Sequence, residues 1–275
     1  MKILAFESSC DETAVAVVED GRRVLSDAIA SQADMHALYG GVVPEIASRK
    51  HVEAIAALTD KALADAGVTK GDIDAVAVTY APGLIGAVLV GLSFAKSVAY
   101  ALGVPLIPVH HIRGHIAANY LAFPELEPPF LALCMSGGNT LIVDVRDYTD
   151  FALLGATRDD AAGECFDKAA RVLGLPYPGG PVIDRLAKEG DPKRFKFAKP
   201  SVDGFNYSFS GLKTSFLYFL RDRMHEDPRF IDDNKADLCA SLQATIIDIL
   251  LAKLTKAAKQ YDIRDIAIAG GVSAN

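Results

Sequence analysis

The sequence predicts a duplicated α/β protein in which two similar βββαβαβα lobes surround a central cleft. Three short strands precede alternating helices and strands in the first half of the chain, and the same order restarts after a proline-bearing linker at 123–129. Such alternation is typical of a sheet covered by helices, and its repetition indicates two structural units. We therefore predict lobes at 1–127 and 128–275, with a ligand site between them.

The first lobe opens with apolar runs separated by polar turns, and Asp20-Gly21 marks a hairpin. An amphipathic helix follows and ends at Gly67; its apolar positions are Val52, Ile55, Leu58, Ala62 and Leu63. The predicted strands are 2–8, 14–19, 24–31, 75–79 and 106–109. A buried helix is predicted over 83–102, and a short helix carrying two histidines follows the last strand.

The second lobe repeats this order, with predicted strands at 130–135, 140–145, 151–156 and 265–269 and helices at 161–173 and 235–260. A long polar excursion separates the two helices. The turn at 136–139 takes the place that 8–13 has in the first lobe. The last strand runs into Gly270-Gly271, a turn that normally feeds a helix, so we expect the complete protein to continue beyond Asn275.

Composition excludes several classes of protein. A formal net charge of -7 argues against a protein coated in nucleic acid, although a local basic patch stays open. The four cysteines are far apart, which indicates packed, reduced thiols of a cytoplasmic protein. The N-terminus lacks the pattern of a signal peptide, and the most apolar run, 84–95, is shorter than the roughly 20 residues of a membrane span.

His111 and His115 are the candidates for metal ligands. Their spacing places both imidazoles on one face of a helix, where both can reach the same ion. The pair directly follows a strand, where α/β proteins gather ligand residues. Two histidines that pack or cap a helix remain the alternative. Ile112 stands where a zincin peptidase has the glutamate of H-E-x-x-H, which argues against that chemistry.

Polar turns supply candidate ligand loops. Gly137 and Gly138 expose backbone N–H groups that can approach an oxyanion or phosphate. The matching turn of the first lobe contains Asp11 and Glu12, an acidic pair suited to positioning a metal phosphate or water. Ordinary solvated turns are the alternative interpretation for both segments.

Two further carboxylates stand near glycine-bearing turns. Asp167 lies among apolar positions of a helix, where an unpaired carboxylate is costly, so it needs a partner such as a ribose hydroxyl. The segment 177–181, YPGGP, opens a helix that places Asp184 in its first turn, where the helix dipole favours a carboxylate. The glycine backbone of 269–273 can lie flat against a base or ribose.

The segment 191–223 interleaves cations with aromatic residues, a composition typical of sites for single-stranded or looped nucleic acid. Its cations are Lys193, Arg194, Lys196, Lys199, Lys213, Arg221 and Arg223, and its aromatic residues include Phe195, Phe197, Phe205, Tyr207 and Phe209. A solvated insertion with a small core of its own fits this composition equally well.

Motifs along essentially the whole chain resemble one family. They are FESSCDETAVAVV, GGVVPEIASRKH, APGLIGAVLVG, HHIRGHIAANYL, MSGGNT, GECFDKAARVLGL, YPGGP, FSGLKT and AGGVSAN. Together they closely resemble the bacterial TsaD (YgjD) family of tRNA N6-adenosine threonylcarbamoyltransferases, once described as O-sialoglycoprotein endopeptidases.

The resemblance implies an actin/Hsp70/hexokinase-like (ASKHA) fold. It implies transfer of the threonylcarbamoyl group from threonylcarbamoyl-AMP to N6 of adenosine 37, in tRNAs reading ANN codons, to form t6A. It also implies one metal ion per subunit, Fe(2+) or alternatively Zn(2+), held by His111, His115 and an aspartate beyond Asn275. The implied protein partners are a degenerate paralogue of the same fold and a small P-loop ATPase.

The resemblance implies substrate contacts at Met135, Ser136, Gly137, Gly138, Asn139, Asp167, Gly180, Asp184 and Asn275. Many relatives have histidine in place of Asn139. Asp11 and Glu12 are the candidates for a general base. A small-molecule kinase or ATPase of the same fold is the second interpretation, and a metallopeptidase is the third. A non-catalytic interaction module is also open, but the intact His111, His115 and SGGN motif argue against it.

Overall fold

A computed structural model describes residues 1–275, which form two compact units, Met1–Pro124 and Glu125–Asn275. The division falls just before the predicted boundary at 127. The first unit contains a five-stranded sheet and the second a four-stranded sheet. In both sheets the first three strands form an antiparallel meander, and a later strand pairs in parallel with the first of them.

The sheet of the first unit has the order β3-β2-β1-β4-β5. Its strands are β1 (Lys2–Glu7), β2 (Glu12–Glu19), β3 (Arg23–Ser31), β4 (Ala75–Ala81) and β5 (Leu106–His110). Its helices are α1 (Ala33–Ala37), α2 (Pro44–Ala66), α3 (Ile85–Leu102), α4 (His111–Ala117) and α5 (Asn119–Ala122). Every predicted strand of this half is confirmed, because each is a mostly apolar run of a length typical of a strand.

The helix α2 begins at Pro44 and ends where Gly67 adopts a left-handed conformation, as the sequence predicts. Its predicted apolar face is wrong at Val52, which is 63% exposed, whereas the preceding His51 is fully buried. The reason is a polar contact: the His51 ring lies 2.7 Å from Thr13 Oγ1 and 3.0 Å from the carbonyl oxygen of Cys10. The helix therefore turns a histidine toward the sheet.

The prediction of a buried helix over 83–102 is wrong in part, because α3 is buried on one side only. Its small residues are buried on one side, namely Ala87, Gly91, Ala95 and Ala99. On the other side Ile85, Leu89 and Tyr100 are 89%, 59% and 91% exposed. Two helices, Ile85–Leu102 and Lys235–Tyr261, are long and apolar enough to cross a membrane by length and composition alone, a test that core helices also pass.

The sheet of the second unit has the order β8-β7-β6-β9, which matches the first four positions of the other sheet. Its strands are β6 (Phe130–Met135), β7 (Thr140–Val145), β8 (Phe151–Ala156) and β9 (Ile266–Ala269). Its helices are α6 (Ala162–Val172), α7 (Gly179–Ala187), α8 (Ser210–Glu226), α9 (Phe230–Asp233) and α10 (Lys235–Tyr261). A 3₁₀ turn, Gly271–Ala274, follows β9. The strands and the helices at 161–173 and 235–260 are confirmed.

The predicted polar excursion is wrong in its central part, because α8 is a helix of 17 residues that packs on the core. Five aromatic side chains in this helix and in the segment before it are buried, namely Phe197, Phe205, Tyr207, Phe209 and Phe216. These rings supply apolar burial for the insertion and cannot stack on bases. The interpretation as an insertion with a core of its own is also wrong, because these rings belong to the same hydrophobic cluster as Leu131, Leu133 and Ile142 of the sheet.

The cysteines are in the state that the sequence predicts, that of reduced thiols that are mostly packed inside the protein. All four cysteines are free, and Cys134, Cys165 and Cys239 are buried, while Cys10 is exposed. Burial raises the pKa of the Cys134 thiol to about 11, so this side chain behaves as a packed apolar group.

Gly155 tests how tightly the insertion packs on the sheet. A Cβ atom added there would collide with the backbone carbonyl of Phe205, so we expect Gly155→Ala to destabilise the protein by about 1–3 kcal/mol. Urea unfolding followed by circular dichroism measures the change. Gly71→Ala is the control, since the only neighbour of its Cβ would be Thr69 Oγ1 at 3.7 Å. Equal stability of the two variants would contradict this packing.

Candidate functional site

Three parallel strands of the first unit end at one edge of the sheet, and each brings a polar side chain there. Glu7 is the last residue of β1, Thr79 lies near the end of β4, and His111 directly follows β5. β1 pairs in parallel with β4, and β4 pairs in parallel with β5. Because the carboxyl ends of parallel strands meet at the same edge, residues far apart in sequence become neighbours here.

The Glu7 carboxylate is the centre of this cluster. Its Oε2 accepts a hydrogen bond from Thr79 Oγ1 at 2.6 Å and lies 3.1 Å from His111 Nδ1. Its Oε1 accepts a hydrogen bond from the backbone N–H of Ser9. Burial alone would raise the pKa of Glu7, but the hydrogen bonds from His111, Ser9 and Thr79 outweigh it and lower the pKa to about 2. Glu7 is therefore ionised at neutral pH.

The ionised carboxylate determines which nitrogen of His111 carries the proton. Glu7 can only accept hydrogen bonds, so His111 Nδ1 donates and His111 Nε2 keeps its lone pair. His115 Nε2 lies 2.9 Å from His111 Nε2. Burial first, and then the charge of His111, lowers the pKa of His115, which favours its neutral form. The two Nε2 atoms thus point to the same place.

This pair fits the predicted metal ligands. Nitrogens bound to one zinc ion at about 2.1 Å lie at most about 4.2 Å apart, so the observed separation allows both to bind one ion. A carboxylate behind a ligand histidine is the usual arrangement that orients such a ring. No group of three or more His, Cys, Asp or Glu side chains suited to a metal ion occurs in the chain. The metal prediction accordingly rests on His111 and His115.

A cavity of about 300 Å³ adjoins the histidines on one face of the sheet. Small side chains form its floor, namely Ala5, Ala14, Ala16 and Ala77. Glu7, His111 and His115 also line it. The floor follows from strand register, because Ala5 is paired with Ala16 on β2 and with Ala77 on β4. The cavity therefore combines an apolar base with polar groups, which is the usual composition of a small-molecule site.

Asp11 and Glu12, the predicted candidates for a general base, do not line this cavity. Asp11 lies in the turn between β1 and β2, and Glu12 is an exposed residue at the start of β2. The same turn reaches the histidines through Ser9 instead, whose Oγ lies 3.2 Å from His111 Nδ1. A general-base role for Asp11 or Glu12 stays a prediction.

In the second unit, the predicted substrate loop is a closed turn at the end of β6. The Ser136 N–H donates to the Asn139 carbonyl at 2.9 Å, and Asn139 Nδ2 donates to Ser136 Oγ at 3.1 Å. Met135 is buried beneath the turn. A Cβ on Gly137 or Gly138 would meet nothing within 4 Å, so their open side is free for a ligand.

The start of α6 and the turn after β9 lie against this loop because glycines permit a close approach. A Cβ on Gly163, in the first turn of α6, would lie 3.1 Å from the Cα of Gly137. Gly270, which has a φ of +91°, lets the chain after β9 pass against Met135, where a Cβ would collide with the Met135 carbonyl. The loop, the start of α6 and the turn after β9 are therefore in contact.

Asp167 has its partner within the protein. Its Oδ1 accepts a hydrogen bond from the Gly179 N–H at 2.7 Å, which secures the start of α7 to α6. Asp167 therefore has a protein partner, and because a carboxylate accepts several hydrogen bonds, its contact with a ribose hydroxyl stays a prediction. A Cβ on the next residue, Gly180, would lie 3.1 Å from Asn275 Oδ1.

The prediction that Asp184 lies in the first turn of its helix is wrong. The helix α7 begins at Gly179, and its first turn contains no acidic residue. The carboxylate instead forms an ion pair with Lys188 at 2.8 Å. Asp184 Oδ1 also accepts a hydrogen bond from Gln243 Nε2 at 3.2 Å. Asn275 Nδ2 donates to Gln243 Oε1 at 3.0 Å, which links Asn275 to Asp184.

The structure thus joins the predicted substrate residues of the second unit into two neighbouring groups around the ends of β6 and β9. Sequence reasoning missed Glu7, Thr79 and Gln243. For Glu7 a signal existed, because a charged residue ends an apolar strand just before a polar turn. Gln243 lies in the middle of a long helix and has no such signal. The glycine turn at 137–138 presents backbone N–H groups suited to a phosphate, whereas the first N–H groups of α6 and α7 already donate to Thr140 Oγ1 and Asp167 Oδ1.

Comparison of the sequence with known proteins identifies one family. A family model described as "TsaD: tRNA N6-adenosine threonylcarbamoyltransferase" matches residues 23–275. A protein of that name from Porphyromonas gingivalis is 55% identical over 278 aligned positions, which cover 99% of this chain and 81% of the relative. A protein of the same name from Clostridium perfringens is 54% identical over 275 positions, covering 99% of this chain and 80% of the relative.

Solved structures show the fold. Component A of the (R)-2-hydroxyglutaryl-CoA dehydratase of Acidaminococcus fermentans superposes with a TM-score of 0.55 at 13% identity, covering 99% of this chain and 84% of that chain. A ROK family glucokinase from Streptomyces griseus gives 0.53 at 14% identity, with coverage of 100% and 84%. Both support the ASKHA fold, and identities this low support nothing about activity.

Sequence and fold matches both cover nearly the whole chain, but only the sequence matches exceed half identity, and they carry one enzyme name. They leave the kinase and peptidase interpretations without support. The chain belongs to the TsaD family of tRNA N6-adenosine threonylcarbamoyltransferases.

Proposed function

We propose that this protein transfers the threonylcarbamoyl group of threonylcarbamoyl-AMP to N6 of adenosine 37, in tRNAs that read ANN codons, and so forms t6A. The observation that carries the proposal is the assembly of Ser136–Asn139, Gly180 and Asn275 around the starts of α6 and α7. Backbone N–H groups at such a place suit the phosphate of an adenylate, and amide and hydroxyl groups beside them suit its ribose.

In the proposed reaction, the N6 amine of adenosine attacks the carbamoyl carbon of the donor. A C–N bond forms, the C–O bond to the phosphate breaks, and AMP leaves while the amine loses a proton. Because the mixed anhydride already contains a good leaving group, the protein mainly has to position the two reactants and neutralise charge. The glycine loop of the second unit would hold the AMP part.

We also propose that His111 and His115 hold one metal ion per subunit, Fe(2+) or alternatively Zn(2+). When bound, such an ion supplies a positive charge that neutralises and polarises oxygen groups. Glu7 keeps the proton of His111 on Nδ1, and Thr79 and Ser9 keep Glu7 in place. The support is the 2.9 Å separation of the two Nε2 atoms together with the carboxylate behind His111.

Removing the carboxylate behind His111 tests the metal proposal without an activity assay. We expect Glu7→Gln to weaken binding of Fe(2+) or Zn(2+) by about 10- to 100-fold, because the amide no longer enforces the correct tautomer. His111→Ala should abolish high-affinity binding. Isothermal titration with each metal measures the effect. Glu45→Gln, an exposed carboxylate paired with Arg49, is the control. Unchanged affinity in both Glu7→Gln and His111→Ala would contradict the site.

The transfer itself is tested with unmodified tRNA and threonylcarbamoyl-AMP, and the product is measured by mass spectrometry of tRNA nucleosides. We expect t6A at position 37 and none in a tRNA that carries guanosine there. His111→Ala and His115→Ala should each lower the rate on the order of 100-fold, the effect of losing a few kcal/mol of charge stabilisation. His225→Ala, on the exposed end of α8, is the control. Wild-type rates in both ligand variants would refute a catalytic metal.

A basic patch made of Lys193, Arg194 and Lys196 is the proposed local contact for tRNA. The alternation of exposed cations with the inward-facing Phe195 and Phe197 holds the three charges on the surface. None of the three forms an ion pair with a carboxylate, in contrast to Lys199, which pairs with Asp248. Free cations are the ones that can release counterions from a phosphate backbone.

Charge reversal at Lys193, Arg194 and Lys196 should weaken tRNA binding by the assembled complex and lower its salt dependence. Loss of three phosphate contacts reduces the slope of log K against log salt by about 2–3. Binding measured over a salt series gives this slope. The matched control reverses Arg223, Arg229 and Lys235, which changes net charge equally but removes cations already paired with acidic residues. Identical slopes in the two triple variants would contradict a local patch.

We further propose that the protein works in the cytoplasm with a degenerate paralogue of the same fold and a small P-loop ATPase. The exposed apolar side of α3, formed by Ile85, Leu89 and Tyr100, supports a protein partner in the first unit. Exposed apolar patches of this kind commonly mark interaction surfaces.

A further inference from the structure

Gln243 connects two residues of the proposed nucleotide site, although it belongs to a different helix. It lies in α10, is partly buried, and uses both ends of its side-chain amide. Its Nε2 donates to Asp184 Oδ1 at 3.2 Å, and its Oε1 accepts from Asn275 Nδ2 at 3.0 Å. A side chain with this pair of contacts fixes the relative orientation of both neighbours.

The charge of Asp184 sets the direction of the whole chain of hydrogen bonds. Its ion pair with Lys188 lowers the pKa of Asp184, so the group is a carboxylate and only accepts. Gln243 must therefore turn its NH₂ group to Asp184. Only the amide oxygen of Gln243 is then available to Asn275, so Asn275 must turn its own NH₂ group to Gln243.

The orientation of the Asn275 amide decides where its oxygen, Oδ1, lies. With Nδ2 engaged, Asn275 Oδ1 points toward the start of α7, where a Cβ on Gly180 would be only 3.1 Å away. The absence of a side chain at Gly180 leaves room for that oxygen. The preceding residue, Gly179, is held by Asp167, so the surface that the oxygen faces is fixed as well.

We propose that Gln243 is a positioning residue, which makes Asn275 present an acceptor oxygen to the ligand and thereby selects a hydrogen-bond donor such as a ribose hydroxyl. This inference rests on the proposed function, since it assumes that an adenylate occupies the site. A freely rotating Asn275 would offer oxygen or NH₂ equally and would lose this selection. An acceptor that a bound ligand covers without offering a donor is costly, which is the physical source of the discrimination.

Two variants of Gln243 separate this role from a structural one. In Gln243→Met the new side chain has nearly the same shape as glutamine but cannot form the two amide hydrogen bonds. The side chain of Asn275 is then free to rotate. Gln243→Glu can still accept from Asn275 Nδ2, although it disturbs Asp184. Gln260→Met is the matched control, because Gln260 is exposed on the same helix. Thermal unfolding first verifies that each variant is folded.

The first measurement needs no ligand. Hydrogen exchange of the Asn275 side-chain amide, followed by NMR, should be slow in the wild-type protein, Gln243→Glu and Gln260→Met, and at least about 5-fold faster in Gln243→Met. Equal exchange rates in all four proteins would overturn the proposal. If Gln243→Met does not fold, fast exchange in Gln243→Glu overturns it and slow exchange supports it.

The second measurement is calorimetric titration with AMP, 2′-deoxy-AMP and 3′-deoxy-AMP. We expect the wild type to prefer AMP over one of the deoxy analogues by about 5-fold or more, as loss of one hydrogen bond implies. Gln243→Met should reduce that preference below about 2-fold, whereas Gln243→Glu and Gln260→Met should keep it. An undiminished preference in Gln243→Met, or none in the wild type, would overturn the selection. If the wild type does not bind AMP at all, the proposed function fails, and the exchange measurement alone decides the positioning role.

Discussion

In the first unit β1 pairs in parallel with β4, and β4 pairs in parallel with β5, so their carboxyl ends meet at one edge. Glu7 and His111 are 104 positions apart in sequence, yet this pairing brings their polar atoms within 3.1 Å. The ionised Glu7 then fixes the proton of His111, and the short helix α4 directs His115 to the same point. A shift of register by one residue would turn Glu7 to the other face and dissolve the cluster.

The second unit reaches a site by a different physical route. Its contacts depend on glycines at places where backbone meets backbone, as at Gly163 beside the substrate loop and Gly270 beside Met135. Because the backbone segments approach closely at these glycines, two helix starts and a turn come together. The groups that they expose are backbone N–H groups and not charged side chains. Polar side chains then fix the residues around this contact: Asp167 holds the start of α7, and Gln243 holds Asn275.

Strands and long helices were predictable from the sequence because their apolar periods are local. The meander 130–135, 140–145 and 151–156 shows this, since its bounds agree with β6, β7 and β8. The sequence did not predict which side of a helix is buried or which groups a polar side chain binds, because both depend on contacts with residues distant in sequence. The burial of His51 instead of Val52 follows from Thr13 and Cys10, and the partner of Asp167 is a backbone N–H that opens another helix. The histidine pair was predictable from spacing, but its orienting carboxylate was not.

The two units carry two kinds of group that suit two kinds of charge. Backbone N–H groups of the second unit suit a diffuse anion such as a phosphate, because they stabilise it without a fixed cation. The paired imidazoles of the first unit suit a concentrated positive charge such as a metal ion. Glu7 matters in the first unit because its carboxylate holds the His111 proton on Nδ1, which directs Nε2 toward His115. The pairing of β1 with β4 and β5 places this carboxylate as part of folding.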